Sequence, residues 1–322
     1  MHIGIDIGGT WIKVAWRHAP DDRTATATVS SDVLRHSQGW FERMAGALPT
    51  NARKALDSGK LAGVGIGVAG EIHDPGVVFR SPNFPHWGNK VPIGPDLSTR
   101  LGVPVWVEND ANMAAVALTR HARHAGGELD NVCVVTLGTG IGSGWLLEGR
   151  LFRRPAGGEF ELGHCPVVAG GERCSCGNQG CVEAYAGGWA MLAQYAKRTG
   201  VRLDSVETLV ARVKAGDEDA ELVFQIAGNA LGQACAWVTN MVTTRRFVFV
   251  GGASNARALL LPSLKRAYRR QAFPTYARKA TFRFPPKRSF WGVEGALVAA
   301  ESNGQYRLRI PADPVPQPQA AR

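Results

Sequence analysis

The chain has 322 residues, is 45% apolar, and carries 37 Lys and Arg against 27 Asp and Glu, for a formal net charge of +10. That length and apolar content suit two domains of ordinary size and exclude a globally disordered chain. No apolar run is long enough to span a bilayer, and the opening MHIGIDIGGT lacks a basic segment followed by an apolar one. Neither a membrane protein nor a secretory leader is therefore expected, and the cytoplasm is the expected location.

The first predicted element is an apolar strand over residues 2–7, leading through Asp6-Ile7-Gly8-Gly9-Thr10 into an alternating strand over 11–16 that includes Lys13. Strand, glycine turn, strand reads as a hairpin. Two adjacent glycines free backbone N–H groups to face a ligand and Thr10 adds a hydroxyl, which suits a phosphate. Asp6, at the strand end, is placed to hold Mg²⁺ through water. Such a turn is common, and alone it specifies little.

A helical pattern over 38–56 is interrupted by Pro49, and a strand rich in Val and Ile covers 61–68. The loop 69–90 holds Ser81-Pro82-Asn83 and Trp87; of the nine tryptophans, Trp87 is the one expected near a ligand ring. A strand over 104–107 runs into Glu108-Asn109-Asp110-Ala111-Asn112 and a helix through 118. Two polar side chains then stand at the mouth of an α/β cleft. Asp110 is placed to accept a proton from an attacking hydroxyl, and equally reads as a plain helix N-cap.

The hairpin recurs: a strand over 132–137, then Gly138-Thr139-Gly140-Ile141-Gly142, then a strand over 143–147. This is an internal pseudo-repeat, one copy opening each half. The next stretch, 157–188, reads GGEFELGHCPVVAGGERCSCGNQGCVEAYAGG. Cys174, Cys176 and Cys181 lie within eight residues, spaced by glycines that supply tight turns, with His164 upstream. Three thiolates and one imidazole make a tetrahedral Cys3His zinc site, while Cys-x-Cys is poor disulfide geometry. Four protein ligands leave no open position, so the zinc is read as structural. Cys133, Cys165 and Cys235 remain as free thiols.

Helices are predicted over 189–198, 206–214 and 217–242, the last capped by Asp217. A strand over 247–250 precedes Gly251-Gly252-Ala253. Lys265, Arg266, Arg269, Arg270, Arg278, Lys279, Arg283, Lys287 and Arg288 concentrate the positive charge late in the chain. They read as a solvated face, since no helix-turn-helix or stacking-aromatic pattern accompanies them. A last helix covers 290–301, and the Pro-rich segment 310–322 is expected to be extended or disordered.

The run Glu161-x-Gly163-His164, then Cys174-x-Cys176-Gly177-x-x-Gly180-Cys181-x-Glu183, resembles the signature of the ROK family (repressors, open reading frames, kinases). The resemblance covers about residues 1–305; one departure is Phe160, where the family usually has Gly or Ala. It implies an α/β, two-lobed actin-like (ribonuclease H-like) hexokinase fold with an interdomain cleft. The implied parts are a small lobe 1–110 joined by a returning helix 290–303, a large lobe 111–289 with the zinc loop, and a flexible tail 306–322. The implied activity is ATP- and Mg²⁺-dependent phosphorylation of a hexose. Glucose at O6 is the first expectation, and fructose, allose, N-acetylmannosamine and N-acetylglucosamine stay open.

On this resemblance Asp6, Gly8, Gly9, Thr10, Lys13, Gly138, Thr139 and Gly140 hold the phosphates, and Gly251 and Gly252 approach the adenosine. Asp110 is the general base. Asn83, Asn109, Glu161, His164 and Glu183 contact the sugar, and His164, Cys174, Cys176 and Cys181 hold structural Zn²⁺. Family repressors carry a DNA-binding winged helix ahead of the first hairpin, which here begins at residue 3, so a kinase is expected rather than a sugar-sensing regulator. Hexose and ATP are the expected partners, with no nucleic acid and no membrane, and with a homodimer or homotetramer as the assembly. ATP rather than polyphosphate is the expected donor, since polyphosphate-using relatives generally lack the cysteine cluster.

Overall fold

The computed structural model describes residues 1–19, 22–34, 39–153, 160–286 and 290–307, apart from the side chain of residue 55. Among the described residues seven strands lie in the first part of the chain: β1 (His2–Ile7), β2 (Trp11–Arg17), β3 (Ala25–Ser30), β4 (Gly63–Val68), β5 (Glu71–His73), β6 (Val77–Arg80) and β7 (Val105–Asn109). Five follow: β8 (Asn131–Leu137), β9 (Ile141–Leu147), β10 (Arg150–Leu151), β11 (Arg246–Val250) and β12 (Thr281–Arg283). The helices are α1 (Trp40–Ala47), α2 (Thr50–Leu56), α3 (Ile93–Leu101), α4 (Asp110–Arg120), α5 (Glu183–Ala186), α6 (Gly188–Thr199), α7 (Val206–Lys214), α8 (Glu218–Val242), α9 (Arg257–Gln271), α10 (Pro274–Ala277) and α11 (Trp291–Glu301).

The first sheet runs β3-β2-β1-β4-β7 and the second β10-β9-β8-β11-β12. In both, an antiparallel meander of three strands continues into two strands parallel to the first of them. The pseudo-repeat seen in the two glycine turns is thus a repeat of whole sheets. β4, GVGIGV, is buried at every position, as expected of a strand covered on both faces.

Two helices lie between the sheets, and glycines let them approach. A methyl group on Gly4 of β1 or Gly65 of β4 would run into the backbone of α11 at Leu297 or Ala296. Gly295 brings α11 against Met113 of α4, and α4 in turn sits on β9 where Gly142 and Gly144 meet Ala111. Arg17 of β2 and Arg120 of α4 both donate to Glu301 of α11, at 2.9 and 2.6 Å, which pins the returning helix from both sides. β7 therefore ends, and Asp110 opens α4, at the junction of the two sheets.

The second half has the larger core, built around α8 and α9, which close on each other at Gly228 and Gly232. The predicted cap holds: Asp217 accepts from the Ala220 amide at 3.0 Å, and its other oxygen accepts from the Tyr195 hydroxyl at 2.6 Å. Pro49 does divide the early helical pattern, into α1 and α2.

Two expectations are corrected. Trp87, expected near a ligand ring, is instead packed inward: it is buried, stacked on Phe84 with ring centroids 4.6 Å apart, and donates its indole N–H to the Leu34 carbonyl at 2.9 Å. The tail does not begin at 306. Tyr306 is buried and its carbonyl accepts from the Leu151 amide at 2.6 Å, while Arg307 reaches two carboxylates. The burial of an aromatic ring outweighs the entropy of a chain end. The remainder of that segment, Gly157 to Glu159, and Lys287 and Arg288 lie outside the described residues.

Candidate functional site

The first hairpin closes with the Gly8 amide on the Trp11 carbonyl at 3.0 Å, and the Ser31 hydroxyl braces the Gly8 carbonyl at 2.6 Å. Gly9 lies directly against the side-chain amide of Asn83, so the phosphate-type turn and the Ser-Pro-Asn loop share one corner. Asp6 pairs across the hairpin with Lys13, Nζ to Oδ2 3.8 Å, and Gly292 at the start of α11 covers its carboxylate. Burial raises Asp6 from the usual 3.8 to about 6; Lys13 opposes the shift and the nearby Asp110 charge adds to it.

The second hairpin closes with the Gly138 amide on the Gly140 carbonyl at 3.1 Å. Its outer carbonyls accept from the start of α6: Gly188 N to Gly138 O is 3.0 Å, and Trp189 N to Thr139 O is 3.2 Å. Gly251 stands over the Leu137 carbonyl with φ 98°, a left-handed position where a side chain would collide with that carbonyl. The structure thus groups Gly138–Gly140 with Gly251–Gly252, and Gly8–Thr10 with Asn83, Asp6 and Lys13.

The N-cap of α4 is Asn109, not Asp110. Its Oδ1 accepts from the Ala111 amide at 2.8 Å and its Nδ2 donates to the Gly70 carbonyl at 3.0 Å. Asp110 is left with Oδ1 on the Ala111 amide at 2.9 Å and, among the described residues, with no partner on Oδ2. Burial raises its pKa, against the opposing pull of that amide. A carboxylate with raised proton affinity and one oxygen without a partner among the described residues is suited to general-base work. Asn109 spends both its side-chain groups internally, and so fixes the carboxylate beside it.

Glu161 and His164 form a second corner, His164 Nε2 lying 3.9 Å from Glu161 Oε2. Partial burial raises the Glu161 pKa; His164 lowers it, and the carboxylates of Asp110, Glu183 and Glu71 raise it further. Those charges place Glu161 in the same acidic field as Asp110. The other His164 nitrogen, Nδ1, is 3.5 Å from Cys174 Sγ, and Cys176 Sγ is 3.8 Å from Cys181 Sγ. All four ligand atoms lie within 4.8 Å of one another. A tetrahedron with metal–sulfur bonds of about 2.3 Å has sulfur–sulfur edges of about 3.8 Å, so the residues fit one Zn²⁺. With it bound, His164 would be held by Nδ1 and would offer Nε2 to the cleft.

Glu183, expected to contact the sugar, has both carboxylate oxygens engaged within the protein. It is buried, with Oε2 accepting from the Ile141 amide at 2.9 Å and Oε1 from Ser175 Oγ at 2.8 Å and Trp189 Nε1 at 3.2 Å. It ties the cysteine loop to the second hairpin, where Gly140 leaves room for it. Sequence reading missed Ser175 and Trp189 as its partners, gave Glu108 no role, and missed Arg153 and Arg307. A buried arginine has no local signature; only the odd sight of Glu inside the apolar strand β7 pointed there. Phe160, the departure from the usual signature, packs on Trp145 with centroids 4.7 Å apart and so belongs to the core beside the site.

Among the described residues no helix is long and apolar enough to cross a membrane. A glucokinase of Halalkalibacterium halodurans is 31% identical over 95% of this chain and 97% of its own length. A glucokinase of Thermotoga maritima is 31% identical over 82% and 85%. The crystal structure of a ROK family glucokinase from Streptomyces griseus with glucose and AMPPNP superposes with a TM-score of 0.76 at 28% identity, covering 94% of this chain and 99% of that one. A ROK family profile matches residues 2–302. The chain therefore belongs to the ROK family, and its fold is the two-lobed actin-like fold of that family's hexokinases.

Proposed function

We propose that this protein is an ATP-dependent hexose kinase, and that its hexose is glucose, phosphorylated at O6. The observation that carries the reading is the Asp110 carboxylate, with its raised pKa and one oxygen without a partner among the described residues, in the field of Asp6 of the first hairpin and of Glu161. The sugar lies between Asn83, Asp110 and the Glu161–His164 corner. Oδ2 of Asp110 takes the hydroxyl proton as the sugar oxygen bonds to the γ-phosphorus; the bond from that phosphorus to its bridging oxygen breaks, and ADP leaves. Backbone N–H groups of the two glycine turns and Lys13 face the phosphate charge. Mg²⁺ accompanying ATP supplies charge neutralisation, with Asp6 the residue that would hold it. Bound Zn²⁺ supplies order to the loop, since four protein ligands fill it. Support for glucose comes from the activity of the curated relatives and the glucose in the S. griseus structure.

The test is coupled ADP release over glucose, fructose, allose, N-acetylmannosamine and N-acetylglucosamine, with ATP and polyphosphate as donors at low salt. Glucose with ATP should give the highest kcat/KM. A higher value for another hexose moves the substrate, and no turnover with any of them removes the kinase reading. Polyphosphate at or above the ATP rate overturns the donor and gives the basic face of α9 a substrate role.

A further inference from the structure

Away from the reacting groups, four chain segments meet on one buried carboxylate. Glu108 of β7 is fully buried, and its Oε1 accepts from Arg153 Nη1 at 2.9 Å, Arg307 Nε at 2.7 Å and the Tyr306 hydroxyl at 3.2 Å. Asp74, beyond β5, accepts from the same two arginines, Arg153 Nη1 at 3.1 Å and Arg307 Nη1 at 3.0 Å. Arg153 is itself buried, and its Nη2 also donates to the Ile72 carbonyl at 3.3 Å. Two guanidinium groups thus face two carboxylates, a neutral set that Arg153 reaches from the second sheet and Arg307 from the end of α11.

Three of these segments, those of Glu108, Asp74 and Arg153, adjoin segments proposed above to touch sugar. Glu108 is two residues before Asp110. The β5–β6 hairpin that holds Ile72 and Asp74 leads directly to Asn83. Phe152, next to Arg153, packs on Phe160, next to Glu161, with ring centroids 5.3 Å apart. A planar guanidinium binding two acceptors fixes direction as well as distance, which an apolar contact would not.

We propose that Arg153, with Arg307 completing the set, is a positioning residue that holds the Asn83, Asp110 and Glu161 segments in register and so sets hexose discrimination. This rests on the hexose-kinase reading. Arg153→Gln should raise the hexose KM and lower kcat, together by about 10- to 100-fold in kcat/KM, the scale of a misplacement near 1 Å. The ATP KM should move less than the hexose KM, because the first glycine turn meets the set only through Asn83 and the second does not meet it. The ratio of kcat/KM for glucose to that for mannose should also shift, which a loss of stability alone would not produce. Arg153→Lys keeps the charge but not the two-acceptor reach, and should restore part of the loss. Arg307→Ala leaves the Arg153–Glu108 bond and should shift the same ratio less; it carries the test if Arg153→Gln does not fold. Hydrogen exchange reads the set without any substrate: amides of 70–83, 109–112 and 161–166 should exchange faster in either variant. An unchanged sugar ratio, or unchanged exchange in those segments, overturns the proposal. A wild-type protein that phosphorylates no hexose overturns only the functional reading, and exchange still decides the clasp.

Discussion

The hairpin joining β1 to β2 and the hairpin joining β8 to β9 occupy the same place in two sheets of the same order, and they are built for different work. At the base of the first, Asp6 faces Lys13; at the matching step of the second, Thr136 faces Gly142 and accepts its amide at 3.1 Å. The first turn rests on the exposed side chain of Asn83, the second on a buried carboxylate, Glu183, held by three donors. One copy therefore presents ionisable groups to the cleft, and the other presents a braced backbone. Shared topology fixes where a phosphate can sit; the few residues that differ decide which side does acid–base chemistry.

The sharpest way to break this division is Asp110→Asn, on the charged side. The amide keeps the shape and the Ala111 contact but cannot take a proton, so kcat should fall by about 10²–10⁴-fold. Sugar affinity by calorimetry should stay within a few-fold. A variant with near-normal kcat would take Asp110 out of the mechanism and leave the first lobe without a base.

The braced side is broken by removing its metal. Wild-type protein purified without chelator should carry one Zn²⁺ per chain, and Cys176→Ser should lower metal occupancy and loosen the loop. Ser175 lies between two of the cysteines and donates to Glu183, which holds the Ile141 amide, so the damage should reach the second glycine turn as well as His164. KM should rise by about tenfold for ATP and for sugar together, on the scale of lost support around a metal site. A rise confined to sugar would separate the loop from the hairpin; a fully active metal-free protein would deny the metal its structural role.

These contrasts were unevenly legible in the sequence. The two turns stood out because glycine breaks an alternating pattern, and the cysteine cluster because its ligands are close in sequence. Asp110 read as a possible cap while Asn109 takes that place, since either side chain can accept the same amides and only the backbone at the strand end decides. Trp87 looked like a ligand platform because it follows Asn83, yet the carbonyl of Leu34 draws it inward. Arg153 and Arg307 meet Glu108 across 45 and 199 residues, a distance no local pattern spans. Glu183 was found by its motif, but its partners come from three directions.

The smallest effect is the most direct measure of the difference between the hairpins. Asp6 titrates near 6 in the folded protein against 3.8 for an ordinary aspartate, because burial disfavours its charged form more than Lys13 favours it. A raised carboxyl pKa means the folded state binds this proton more tightly than the unfolded state. Its stabilising share is complete below pH 4 and is lost as pH rises through about 6. At pH 7.5 the ionised carboxylate should therefore cost about 2–3 kcal/mol relative to a neutral side chain. Asp6→Asn should match wild type near pH 4 and exceed it by up to that amount at pH 7.5, measured by urea unfolding without Mg²⁺. Thr136→Val serves as the control from the other hairpin: it leaves the Gly142 amide without its acceptor and should cost about 1 kcal/mol at every pH. If the gap between Asp6→Asn and wild type does not change with pH, the first hairpin holds no strained charge. If Thr136→Val shows the pH dependence instead, the assignment of the charged and the braced sides is reversed. The same Asp6→Asn protein should turn over more slowly despite its added stability, because the charge that destabilises the empty fold is the one proposed to meet Mg²⁺.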